Sequence, residues 1–159
     1  MPKNRTWITL GCCLFALPVS VWAQNRKPGL WELTTTQTWQ KSPSPTAVPG
    51  GTRTTLVCLT QEQIDKYGAI VPHTRGCQVT NLVKKGDGMT ADWVCSGAMS
   101  GKGTLEGHLI DSNHAQGKLH FAGSLQAGPN AMPIEWTTLS SSVFKSADCG
   151  DVKPVPVDK

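Results

Sequence analysis

No two cysteines of this sequence are spaced C-x-x-C, and no more than two basic residues stand side by side. The one long apolar run lies at the very start. The first absence excludes a zinc knuckle built on paired thiolates. The second excludes the electrostatic footprint of a nucleic-acid binder: 15 Lys+Arg face 11 Asp+Glu, scattered, with only Arg26-Lys27 and Lys84-Lys85 adjacent. The third leaves no transmembrane candidate after the first two dozen residues.

Catalytic patterns are missing too. Ser100-Gly101-Lys102-Gly103-Thr104 has Ser96 where a phosphate loop needs glycine, and Gly103 where it needs a hydroxyl. It reads as part of a glycine-rich bend, Ser96 to Gly103. Asp111, Ser112 and His114 are hydrolase residue types, but they crowd onto one turn where nucleophile, base and orienter cannot line up. Asx-turn chemistry accounts for them. Asp87-Gly88 has no flanking calcium ligands. Glu32, Glu106 and Glu135 fall on solvent faces of strands, unpaired as acid and base. The sequence therefore predicts no enzyme and no cofactor.

What is present begins with an export signal. Lys3 and Arg5 precede the apolar run Trp7 to Val21, broken by Pro18, and Val21-Trp22-Ala23 offers small residues for cleavage before Gln24. Leu10-Gly11-Cys12 imitates a lipoprotein site, yet few apolar residues precede it and the run continues past it. Removing residues 1–23 leaves 13 basic against 11 acidic residues and four cysteines, an even count that reads as two disulfides in an exported chain.

The stretch from Cys77 to Cys95 selects the pairing. With period two, Cys77, Val79 and Val83 share a face with Met89, Ala91, Trp93 and Cys95, while Gln78, Thr80, Lys84, Thr90 and Asp92 face the other way. Lys85-Gly86-Asp87-Gly88 is a hairpin turn. Folding about Gly86 sets Cys77 opposite Cys95 and Val79 opposite Trp93, within disulfide reach. By elimination Cys58 bonds Cys149.

The remaining chain reads as further strands. Leu30 to Trp39 carries Trp31, Leu33 and Trp39 on one face, and Thr54 to Leu59 carries Cys58. Between these two, Gln40 to Thr52 is loop, with three prolines. Thr60-Gln61-Glu62-Gln63 has the spacing of a capping box, starting a short helix that stops at Gly68. A second hairpin spans Thr104 to Leu125, turning near Asp111-Ser112-Asn113-His114; after a turn at Gly128-Pro129-Asn130, a last strand runs from Met132 to Phe144. Asp151 to Lys159 is a Pro-punctuated tail, expected to be disordered. About seven sequential strands with one helix predict a mostly β fold: an antiparallel meander over residues 24–150, curled into a half-barrel or barrel.

Three stretches, Lys27-Pro28-Gly29-Leu30-Trp31-Glu32-Leu33-Thr34, Val57-Cys58-Leu59-Thr60-Gln61-Glu62-Gln63 and Ala147-Asp148-Cys149-Gly150-Asp151-Val152-Lys153-Pro154, together resemble the domain of unknown function 3617 family of exported Gram-negative proteins. The resemblance implies a periplasmic location and a shared four-cysteine framework, and no activity. One stretch departs from the family's aromatic last strand: Ser140-Ser141-Ser142-Val143-Phe144-Lys145 is more polar.

Two candidate sites follow. Trp31, Trp39, Trp93, Phe121 and Trp136 all fall on inward faces, where they either fill the core or line an apolar cavity in the curled sheet. His108 and His120 oppose each other if the second hairpin folds about His114; slipping the register by two sets His108 against Lys118 and Glu106 against His120. No third ligand is spaced to complete a metal site. The leading expectation is a small apolar or amphiphilic ligand in the concave face. The alternatives are a structural or interaction module that meets an envelope protein and, last, a metal-binding or hydrolytic protein using His108 and His120.

Overall fold

The computed structural model describes residues 26–43 and 50–157, so the expected export signal over residues 1–23 lies outside the described residues. Seven strands form one antiparallel sheet: β1 (Gly29–Lys41), β2 (Gly51–Leu59), β3 (Cys77–Lys85), β4 (Gly88–Cys95), β5 (Met99–Asp111), β6 (His114–Ala127) and β7 (Asn130–Ser146). Their order is β2-β1-β7-β6-β5-β4-β3. The first strand thus pairs with the last, and the sheet curls without closing, its free edges being β2 and β3. The chain crosses between those edges through α1 (Gln61–Tyr67).

The predicted capping box forms. Thr60 Oγ1 accepts from the Gln63 amide at 3.2 Å, and Gln63 Oε1 accepts from the Thr60 amide at 2.9 Å. Gly68, left-handed at φ 70°, ends the helix by donating to the Ile64 carbonyl. Ile64 is buried with Trp31 and Leu59, which ties α1 to the sheet.

The Cys77–Cys95 hairpin has the expected register, Cys77 opposite Cys95 and Val79 opposite Trp93, and both disulfides, Cys77–Cys95 and Cys58–Cys149, are formed. One correction arises inside it. A bulge between Thr80 and Val83 sets Asn81 at φ 51° and reverses the alternation beyond it. Leu82 packs on the core, Val83 is 59% exposed, and the Lys84 ammonium bonds the Asp65 carbonyl near the end of α1. The Asn81 amide donates to Asp92 Oδ2 at 2.6 Å, and Lys102 Nζ meets the same oxygen at 2.8 Å. These contacts hold the Asp92 carboxyl below the usual carboxylate range, the bond from Lys102 contributing most.

The second hairpin differs from both expected registers. Asp111 pairs with His114, and its carboxylate accepts from the amides of Asn113 (2.7 Å) and His114 (2.9 Å). That closes the turn at Ser112-Asn113, with a register shift between Leu109 and Asp111, so His108 faces Gln116 and His120 faces Thr104. The expected bend at Ser96 to Gly103 is also shorter, because β5 begins at Met99. Gly101 and Gly103 lie within the strand, since a Cβ on Gly101 would stand 2.5 Å from the Ala122 carbonyl oxygen and 2.9 Å from the Phe121 ring. The Pro-rich tail, expected to be disordered, is held at two points: Pro154 bridges Cys58, and Gln63 Nε2 donates to the Val155 carbonyl at 2.8 Å.

Two predictions follow from this geometry. Leu82→Ala should cost about 2 kcal/mol in urea denaturation, and Val83→Ala within about 0.5 kcal/mol, the reverse of simple alternation. Replacing Cys58 and Cys149 by alanine, which opens a loop of 91 residues, should cost more than replacing Cys77 and Cys95, which opens one of 18. Chain entropy sets these near ~4.5 and ~3 kcal/mol, measurable by unfolding the two double variants under non-reducing conditions.

Candidate binding cavity

The inner face of the sheet is built of cross-strand rows. In one, Trp93, Gly103, Phe121, Trp136 and Trp39 stand side by side on β4, β5, β6, β7 and β1. Gly103 has no side chain, so Trp93 reaches across it to Phe121 at 5.4 Å between ring centroids. Phe121 meets Trp136 at 4.4 Å, and Trp136 meets Trp39 at 5.1 Å. Trp31 belongs to a second cluster, edge-on to Phe144 at 5.5 Å and sealed by Leu59 and Ile64. All five predicted aromatics therefore point inward, where they pack against other rings. None of them lines the cavity described next.

Two rows from the aromatic one, the aligned residues are Met89, Gly107, Gly117, Ser140 and Thr35. Three of these five are glycine or serine, so the row cannot fill the space between the two clusters. The segment after α1 lies over the gap: Ala69 sits so near Gly107 that a Cβ there would be 3.2 Å from its own. What remains is a cavity of about 140 Å³. Leu33, Leu105, Leu119 and Met89 line it from the sheet, Ala69 to Pro72 from above, and Thr35, Thr138, Ser140 and Ser142 supply hydroxyl groups. The exposed residues Glu106, Gln116 and Lys118 border it beside the two glycines. Ser140 and Ser142 belong to the polar run Ser140 to Lys145, and pairing of β7 with both neighbours continues through them.

Arg26 also lines this cavity, and it is the residue that the sequence reading passed over as scattered charge. Its place is fixed by its neighbours. Trp31 Nε1 donates to the Lys27 carbonyl at 2.9 Å, and Lys27 Nζ donates to Asn113 Oδ1 at 2.9 Å while lying 5.3 Å from the Phe144 ring centroid. At Gly29, φ 131°, the chain runs so close to β7 that a Cβ would overlap the Ser146 carbonyl oxygen at 2.3 Å. These contacts turn Arg26 inward. It is 6% exposed, its guanidinium carbon lies 5.0 Å from the Trp31 ring centroid, and among the described residues Nε and Nη1 have no hydrogen-bond partner. Burial pushes its pKa down to about 10, so it remains cationic at neutral pH.

Other features are less enclosed. Arg26 borders, on its far side, a polar hollow of about 370 Å³ with Asp65, Lys84 and Asp87. On the outer face a wide hollow of about 570 Å³ passes Val83, Thr90, His108, Lys118 and Leu139. It is larger than the inner cavity but lies open to solvent, so it desolvates a ligand less. His108 Nε2 pairs with Asp87 at 3.3 Å, and His120 Nδ1 lies 3.2 Å from Thr137 Oγ1. The two histidines sit four residues apart along the ladder, about 13 Å. Among the described residues no three His, Cys, Asp or Glu side chains gather as a metal site.

A buried cation without a counter-ion costs the fold rather than supporting it. Arg26→Met should therefore leave the stability of the empty protein unchanged or raise it, as urea and thermal denaturation would read. A loss of 3 kcal/mol or more, about what breaking a buried ion pair costs, would show instead that the guanidinium holds the fold.

Among the described residues no helix is long and apolar enough to cross a membrane. Neither a curated relative nor a solved structure matches the chain. One family does: that described as Protein of unknown function (DUF3617) matches residues 26–149, a span that opens on the cavity arginine and ends on a disulfide cysteine. Because that match takes in all seven strands and all four bonded cysteines, the chain belongs to the DUF3617 family.

Proposed function

We propose that this is an exported, non-catalytic protein of the periplasm that binds a small apolar or amphiphilic ligand inside its curled sheet. Two disulfides fit an oxidising compartment, and the leading apolar run with its small-residue cleavage site accords with export. The observation that carries the binding reading is the cavity between the two core clusters. Interiors normally pack without voids, and here a row of small residues holds one open. At about 140 Å³ it matches, to within about 10 Å³, an engineered apolar cavity that binds benzene.

A second reading, an envelope interaction module, draws on the outer face, where Leu56, Ile110 and Leu139 are each at least half exposed. The two readings use opposite faces of the sheet and are separable by experiment.

Titrating the purified protein with benzene-sized probes by calorimetry tests the first. Ser140→Leu puts an apolar side chain into the cavity from β7 and should abolish binding while keeping or raising the melting temperature. Undiminished probe binding by this variant would move the ligand elsewhere, and an absence of binding by the native protein would leave the outer face as the working surface.

A further inference from the structure

We propose that the cavity selects a singly charged organic anion, a small monocarboxylate whose apolar body lies among the aliphatic side chains and whose carboxylate meets Arg26. The inference rests on the cavity being the binding site and adds the chemistry of its occupant. Three observations carry it.

The first is the unmet demand of the guanidinium. Among the described residues two of its nitrogens are buried without an acceptor, the other such donor being Trp39 Nε1 in the aromatic row, whereas Gln63, as buried as Arg26, bonds through both its oxygen and its nitrogen. A buried donor left unpaired is costly, and a carboxylate removes that cost while adding a charge-assisted bond.

The second is the charge count. Arg26 is the buried cation of the lining. Lys118 and Glu106 also border the cavity, but both are exposed, stand opposite each other on the ladder and cancel in charge. A monoanion therefore balances Arg26, and a dianion leaves net charge in a site poor in water. The polar hollow on its far side already holds two carboxylates, Asp65 and Asp87, beside Lys84, whose ammonium bonds the Asp65 carbonyl, which leaves the inner side for the ligand's carboxylate.

The third is the division of the walls. Leu33, Leu105, Leu119 and Met89 offer nothing to a small hydrated ion such as inorganic phosphate, whereas Ser140 and Ser142 place hydroxyls on the same surface for an oxygen that Arg26 does not take.

Calorimetry on the disulfide-intact protein tests this with matched pairs: benzoate against benzyl alcohol, and hexanoate against hexanol, with inorganic phosphate as a third probe. Each acid should bind at least tenfold more tightly than its alcohol, and phosphate far more weakly than either acid. Arg26→Gln should erase the preference for acid while leaving alcohol binding in place, and Arg26→Lys should keep part of it. Equal affinity for acid and alcohol in the native protein overturns the inference and leaves the cavity a neutral binding site. Phosphate binding as tightly as benzoate overturns the amphiphile and leaves a bare anion site. Binding of none of the probes removes the cavity reading itself. The native comparison decides even where a variant folds poorly.

Discussion

Everything in this molecule depends on the pairing of its first strand with its last. β1 lies hydrogen-bonded between β2 and β7, with Trp31 opposite Phe144 and Trp39 opposite Trp136. That seam joins residues from 94 positions apart (Lys41 with Glu135) to 116 (Leu30 with Ser146) and draws the meander into a curl. It completes the aromatic row by adding Trp39 to rings supplied by β4, β6 and β7. It also sets Thr35 and Leu33 beside Ser140 and Ser142, which forms one wall of the cavity. The Cys58–Cys149 disulfide then fastens the outer strand β2 to the segment that leaves β7. Without the seam neither the core nor the cavity has a second side.

An open curl leaves two edges that invite pairing with another chain. Each is blunted by its own device. At β2 the returning tail bridges Cys58 through Pro154, a residue with no amide hydrogen to extend a ladder. The same edge is matched to β1 by hydroxyl pairs, Thr34 with Thr54 at 3.0 Å and Thr36 with Thr52 at 2.9 Å, which fix register without exposing apolar surface. At β3 the bulge at Asn81 bends the strand, and Lys84 and Lys85 follow it.

Local chemistry made much of the fold legible in the sequence. A glycine turn between two alternating strands specified the Cys77–Cys95 register, and a Thr-x-x-Gln spacing specified the helix start, because each rests on residues close in the chain. The bulge was hidden because Asn81 takes the left-handed conformation without a glycine to announce it, held there by Asp92 on the neighbouring strand. Register in the second hairpin was hidden because its apolar faces match at any slip of two residues; the carboxylate of Asp111, capping two amides, decides it. The inward direction of the five aromatics followed from alternation, whereas their mutual contacts required the strand order. Arg26 gave no signal at all. Its burial comes from a clamp made by Trp31, Lys27 and Asn113, the last of these 86 positions beyond Lys27.

The placement of that arginine is hard to explain by stability alone. Side chains of this length normally extend their charge to water while burying only the stem. The head group of Arg26 instead lies buried against Trp31. Stacking on an indole returns about 2 kcal/mol or somewhat more when desolvated, against a desolvation cost of several kcal/mol for the ion. The two apolar clusters are already complete without it, and the adjacent row of glycines and serines withholds the side chains that would have filled the space it faces. A loop wall, Ala69 to Pro72, which belongs to neither helix nor strand ladder, encloses that space from the side away from the sheet. A charge kept from water, a void kept from filling and a wall kept out of the ladder are three separate departures from the best-packed fold. They coincide at one place, and a bound anion with an apolar body relieves the first two at once.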